Sequence, residues 1–140
     1  MGNYVKDELS KKNKYYLPKN RFLELKYFCL QYPDWKEAYQ YYNEGIVPRT
    51  ARIELFFRKT TQNDQTSDMA ILLNEYMENI KLIDEVAEET EPELKFWLIK
   101  GITGGLPYYQ LKTAYEIPCG KDMYYDRYRK FFWLLDKRRK

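Results

Sequence analysis

Apolar positions recur at intervals of three and four along most of this chain, and nowhere do they alternate with period two for long enough to predict a strand. Leu17-Pro18-Lys19 opens a first helix, with the proline near the first turn, where its missing N–H costs nothing. Phe22, Leu25, Tyr27, Phe28 and Cys29 continue it at roughly helical spacing, and Tyr32-Pro33 is expected to stop it. Asp34 followed by Glu37 has the form of a capping box, which predicts a second helix through Trp35, Ala38, Tyr39 and Tyr42. Gly45 to Pro48 is a turn, Ala51 to Arg58 a short apolar helix, and Thr60 to Gln65 a polar hinge. After the hinge, Thr66 or Ser67 caps the longest helix, Asp68 to about Glu89. Met69, Leu72, Leu73, Tyr76, Ile80, Ile83 and Ala87 form its apolar stripe. Thr90 to Glu93 repeats the capping-box form, opening a helix that buries Leu94, Trp97, Leu98, Ile99 and Ile102 and ends at Gly101, Gly104 and Gly105. The class is all-α.

The stretch from Glu93 to Lys137 organises the rest. Leu106 to Ala114 predicts a short bracing helix with Leu111 and Ala114 inward; Ile117 plugs the turn that follows, and Pro118 forbids the helix from running straight through it. In the last helix, from near Gly120, Tyr124, Tyr128, Phe131 and Leu135 are spaced four, three and four. They share one face, expected to pack on Ile117, Leu111 and Leu98. A bracing helix, a tight turn and a second helix with a polar outer side form the pattern of a DNA-binding helix-turn-helix. Two lobes are expected: residues 1–62, a helical lobe with a flexible basic arm over the first 16 residues, and residues 63–140, the long acidic helix with the helix-turn-helix.

Composition narrows the chemistry. The chain has 44% apolar and 32% charged residues, a globular balance, and its 18% aromatic content includes 15 tyrosines. It contains no histidine, which closes Ser-His, Cys-His and His-metal chemistry. Cys29 and Cys119 lack metal-ligand spacing and are too few for a disulfide framework, which points to free thiols in a reducing cytoplasm. No apolar run is long enough for a membrane span, and no membrane partner is expected. The carboxylates from Glu88 to Glu93 have no aromatic pocket or base beside them, and the glycines at 101–105 carry no phosphate-binding fingerprint. No catalytic residue, cofactor or metal is predicted.

Net charge is only +3, but it is unevenly spread. Between Glu75 and Lys95, eight acidic residues face two basic ones; between Lys121 and Lys140, eight basic residues face three acidic ones; and Met1 to Lys26 carries seven basic residues against three acidic. Basic ends around an acidic middle suit a chain that presents one face to a polyanion. On the last helix, Lys121 or Arg129 can donate to guanine and Tyr125 can stack or meet a thymine methyl. Lys130, Arg138 and Arg139 are placed as phosphate contacts. The plainer alternative is that these are core aromatics and solvated charges of an ordinary bundle.

Three segments, YLPKNRFLELKYFCLQYPDWK from Tyr16, the helix from Thr66 to Ile83, and IPCGKDMYYDRYRKFFWLLDK from Ile117, together resemble a protein group. It comprises small phage and prophage proteins of Gram-positive bacteria related to the RinA/ArpU-type late-gene transcriptional regulators. The C-terminal part of those proteins is similar to sigma-factor region 4. The resemblance implies a sequence-specific transcriptional regulator of a mobile element in a bacterial cytoplasm, touching double-stranded DNA with its last helix. It also suggests the acidic stretch Glu75 to Glu93 as a surface for RNA polymerase. Where such motifs usually carry Ser and Thr, this chain has Gly120 and Met123. A small terminase subunit, which would form a homo-oligomeric ring, and a non-DNA adaptor or inhibitor whose tyrosine-rich first lobe binds protein are the alternatives.

Overall fold

A computed structural model of the chain describes residues 13–44 and 66–139. The expectations for the arm before residue 13, the turn at 45–48, the helix at 51–58 and the hinge at 60–65 lie outside these residues. The described residues are helical, with no strand among them. No helix among them is long and apolar enough to cross a membrane. In chain order the helices are α1 (Lys19–Leu30), α2 (Tyr32–Glu44), α3 (Thr66–Thr90), a 3₁₀ turn (Pro92–Leu94), α4 (Lys95–Gly104), α5 (Tyr108–Tyr115) and α6 (Lys121–Arg138).

Local chemistry explains most of these boundaries, and some differ from expectation. The Pro18 carbonyl accepts the N–H of Phe22 at 2.9 Å, so the proline starts α1. α2 begins at Tyr32 rather than Asp34, with the Trp35 N–H donating to the Gln31 carbonyl at 3.1 Å. Pro33 falls inside its first turn, where it forfeits no helical bond. Thr90 is not a cap either: it ends α3, and its hydroxyl donates back to the Val86 carbonyl at 2.7 Å. Glu91 then turns extended and Pro92 opens the 3₁₀ turn. Gly105, at φ 67°, ends α4 in the left-handed conformation that glycine adopts without strain. Gly101 does not end that helix. It is buried within it, and a Cβ there would meet Leu111 Cδ1 at 2.9 Å and lie closer still to the Tyr124 hydroxyl.

The chain divides into two compact units, residues 1–30 with 82–140 and residues 31–81. This differs from the expected consecutive lobes 1–62 and 63–140. The physical reason is α1, whose Phe22 ring lies 5.0 Å from Phe132 and 6.3 Å from Tyr128 of α6, tying the start of the chain to its end. In the smaller unit, Ala38 of α2 packs with Met69 and Leu73 of α3, and Tyr41 and Tyr76 close over them. The Trp35 and Tyr76 rings lie 6.3 Å apart, and burial pushes the Tyr76 phenol above its usual pKa.

The larger unit is built around α6. Leu25, Leu98, Leu111, Tyr124, Phe131 and Leu135 are all fully buried, and the leucines and Phe131 are each worth roughly 1.5–3 kcal/mol of transfer free energy. Tyr124, Tyr128, Phe131 and Leu135 are buried on one face of α6 as their spacing predicts, and Phe132 joins them. Ala114 does not point inward; it is exposed, because the inward side of α5 is set by Tyr108 and Leu111.

Candidate nucleic-acid interface

The turn between α5 and α6 is held at several points. Glu116 sits at φ 53°, ψ 47°, a left-handed conformation that is strained for a residue with a side chain. It reverses the chain so that the Ile117 N–H reaches back to the Leu111 carbonyl at 3.1 Å and the Ile117 side chain drops into the core, 5% exposed. The Tyr108 hydroxyl donates to the Cys119 carbonyl at 2.6 Å, and the Tyr108 N–H donates to the Tyr125 hydroxyl at 3.2 Å. Trp97 of α4 donates its indole N–H to the Tyr115 carbonyl at 2.8 Å, satisfying one of the open carbonyls at the end of α5. These bonds fix the direction in which α6 leaves the turn. Gly120 caps α6 with its backbone only, and a Cβ there would meet nothing within 4 Å.

Opposite the buried face, Asp122, Asp126, Lys130, Trp133 and Lys137 follow at spacings of four, four, three and four, forming one stripe that is half-exposed to exposed. Its sign changes along the helix. The acids lie at the N-terminal end, where the helix dipole favours them, and the lysines lie toward the C-terminus. Lys121 is exposed beside the stripe's first turn.

The arginines behave differently from the lysines. Arg127 pairs with Glu91 at 2.8 Å and with Asp126, interactions that raise its pKa. Arg138 reaches Glu85 at 2.8 Å and Glu89 at 3.5 Å. Arg21 binds Asp136 at 2.6 Å, and it donates to the Arg139 carbonyl. The Arg139 guanidinium lies 3.9 Å from the centre of the Phe28 ring. By contrast, no carboxylate among the described residues pairs with Lys14, Lys121, Lys130 or Lys137. In this unit Arg21, Arg127 and Arg138 hold elements together, and these four lysines carry charge outward.

This division revises the expected contacts. Lys121 and Lys130 stand where a ligand can reach them. Arg129 lies 4.0 Å from Asp126 and its side chain is 20% exposed. Arg138 is engaged with Glu85 and Glu89, so it is not a ready phosphate contact, whereas Arg139 lies exposed over the Phe28 ring and pairs with no carboxylate among the described residues. Tyr125 spends its hydroxyl on Tyr108 and its ring on Tyr124 and Tyr128, at 5.0 and 5.6 Å, so it braces the turn rather than waiting for a base. The acidic stretch is likewise occupied in part, since Glu88 also pairs with Lys95 at 3.3 Å. Sequence reasoning passed over Lys14 and Lys137; the signal for Lys137 was its place four residues after Trp133 on the outer stripe.

Among the described residues no group of three or more acidic or sulfur side chains is arranged to hold a metal ion. Cys29 and Cys119 are free, and burial raises the pKa of both thiols. A separate exposed cluster lies at the end of α5: Phe96, 54% exposed, is 6.3 Å from Tyr115, with the Lys100 ammonium 5.1 Å from the Tyr115 ring. No protein-family model, curated protein or solved structure matches this chain.

Proposed function

We propose that this protein is a sequence-specific DNA-binding regulator of a phage or other mobile element, using α5, the turn at 116–120 and α6 as a helix-turn-helix similar to sigma-factor region 4. The observation that carries the reading is the turn itself. Ile117 is buried beneath it, the Tyr108 hydroxyl donates to the Cys119 carbonyl within it, and Tyr125 of α6 accepts the Tyr108 N–H at the start of α5, so the turn is tied to both helices that flank it. A recognition helix needs that rigidity to meet base edges in register. Lys121 and Arg129 are the base-contacting candidates and Lys130 a phosphate contact. Polymerase contact through the acidic helix is not part of the proposal, because Glu85, Glu88, Glu89 and Glu91 are engaged in ion pairs within the chain.

Duplex-binding titrations of single variants test the reading. Lys121→Ala should cost roughly 1–3 kcal/mol on the preferred duplex and relax preference at one base pair, whereas Lys130→Ala should weaken all sequences alike. Unchanged binding in both variants would mean that α6 does not enter the groove. The exposed Phe96, Tyr115 and Lys100 cluster favours a second reading, an adaptor that docks on another protein, because aromatic groups beside a cation are what protein interfaces concentrate. That version predicts no salt-dependent affinity for duplex DNA.

A further inference from the structure

We infer that Lys14, Tyr15, Trp133 and Lys137 form a second contact with the sugar-phosphate backbone of the same duplex, flanking the groove that α6 enters. The inference rests on the DNA-binding reading above and adds to it a site outside the helix-turn-helix.

The site is built from two distant parts of the chain. Asn13 starts a tight turn: its side-chain oxygen accepts the Tyr15 N–H at 2.8 Å and its carbonyl accepts the Tyr16 N–H at 3.0 Å. That turn holds Tyr15 edge-on to Trp133 of α6, with ring centres 5.5 Å apart and planes at 61°. Trp133 belongs to the outer stripe of α6, one turn beyond Lys130 and one turn before Lys137. The Lys137 ammonium lies 4.1 Å from the Trp133 ring centre, and the Lys14 ammonium lies 5.1 Å from that of Tyr15. Two ammonium groups are therefore gathered on a paired aromatic platform, and both lysines are exposed.

Charge identifies the occupant. Neither lysine has a carboxylate partner among the described residues, whereas Arg21, Arg127 and Arg138 of the same unit are held in internal ion pairs. A cation above an aromatic face loses none of its charge and keeps N–H donors free for an anion. The nearest acids of the stripe, Asp122 and Asp126, lie at its other end, and Asp136 is taken by Arg21. An extended polyanion lying along the outer stripe would meet Lys130, then Lys137 and Lys14 in succession. A phosphate backbone beside a groove has that form.

The test is the salt dependence of duplex binding by the full chain. The double variant Lys14→Gln/Lys137→Gln should reduce the slope of log affinity against log salt by about 2, close to one unit per lost phosphate contact, and weaken all sequences alike. The double arginine variant should restore the slope. Tyr15→Ala, which unpins the turn from Trp133, should lose about one unit, the share of Lys14. Thermal melting should be nearly unchanged in the glutamine variant, separating lost charge from lost fold. If the wild type binds with a steep slope and the glutamine variant keeps it, the second contact is wrong and the helix-turn-helix reading stands. If the wild type binds no duplex at all, both fall.

Discussion

The two faces of α6 are organised by different physics. The inner face is aromatic and closely packed: Tyr124, Phe131, Phe132 and Leu135 are at most 1% exposed, and Tyr128 links them to Phe22 of α1. The outer face carries acids toward its N-terminal end, lysines toward its C-terminal end and one tryptophan, and its side chains are half-exposed to exposed. The inner face therefore decides whether the unit folds, and the outer face decides what it can meet. Where the two faces converge, at the α5–α6 turn, a tyrosine pair transmits the order of the first to the second: Tyr108 and Tyr125 connect the packed interior to the backbone that aims α6.

The most severe way to break this contrast is to empty the inner face. Phe131→Ala removes a fully buried ring and should cost about 3–5 kcal/mol in urea unfolding. No single truncation on the outer stripe should approach that value, so an outer-stripe alanine variant of equal cost would erase the distinction.

Overpacking sharpens it next. Gly101→Ala pushes a methyl against Leu111 and the Tyr124 hydroxyl, and it should cost roughly 1–3 kcal/mol despite the better helix propensity of alanine. Adding Tyr124→Phe removes the nearest obstructing atom, so the double variant should recover part of the loss. A strictly additive cycle would show that the two sites do not meet.

Tyr124→Phe alone should have a smaller effect with a pH signature. The Tyr124 hydroxyl is buried with no hydrogen-bond partner among the described residues, and burial holds its pKa above the ordinary tyrosine value. The unfolded chain can release this proton near pH 10 and the folded chain cannot, so wild-type stability falls as pH rises through that point. At pH 7 the phenylalanine variant should lie within about 1 kcal/mol of wild type, neutral to stabilised. Above about pH 10 it should lose less stability than wild type does, as read from urea midpoints at both pH values. Equal losses would place that phenol in contact with water.

The smallest expected change lies at the start of the outer face. Gly120→Ser has open space and supplies the side-chain cap that α6 lacks, for a gain of a few tenths of a kcal/mol. A loss would mean that Gly120 needs its conformational freedom.

Much of the inner face was legible because burial leaves a period. Tyr124, Tyr128, Phe131 and Leu135 announce their face by spacing alone, and Ile117 beside Pro118 marks the turn. What spacing cannot show is which residue from elsewhere fills a given gap. Gly101 reads as a helix end in sequence, yet it is small because Tyr124 crosses there. Thr90-Glu91-Pro92-Glu93 has the letters of a capping box, but Thr90 satisfies Val86 within its own helix instead.

The outer face was harder to read for a related reason. Arginine and lysine look alike in a charge count, and only distance separates Arg138, spent on Glu85 and Glu89, from Lys137, which lies over Trp133. The division into units failed in sequence because α1 joins α6 from more than 90 positions away, with Arg21 bound to Asp136 across a separation of 115. No local pattern encodes that pairing.

The most direct test of the central claim is a fluorescence-anisotropy titration of labelled duplex DNA from the protein's own genomic neighbourhood, at several salt concentrations, against an unrelated duplex as competitor. The account predicts an affinity that falls steeply with salt while preference for the native duplex survives the competitor. Binding that is absent, or equal for both duplexes at every salt concentration, would contradict it and leave the turn between α5 and α6 as a device of folding alone.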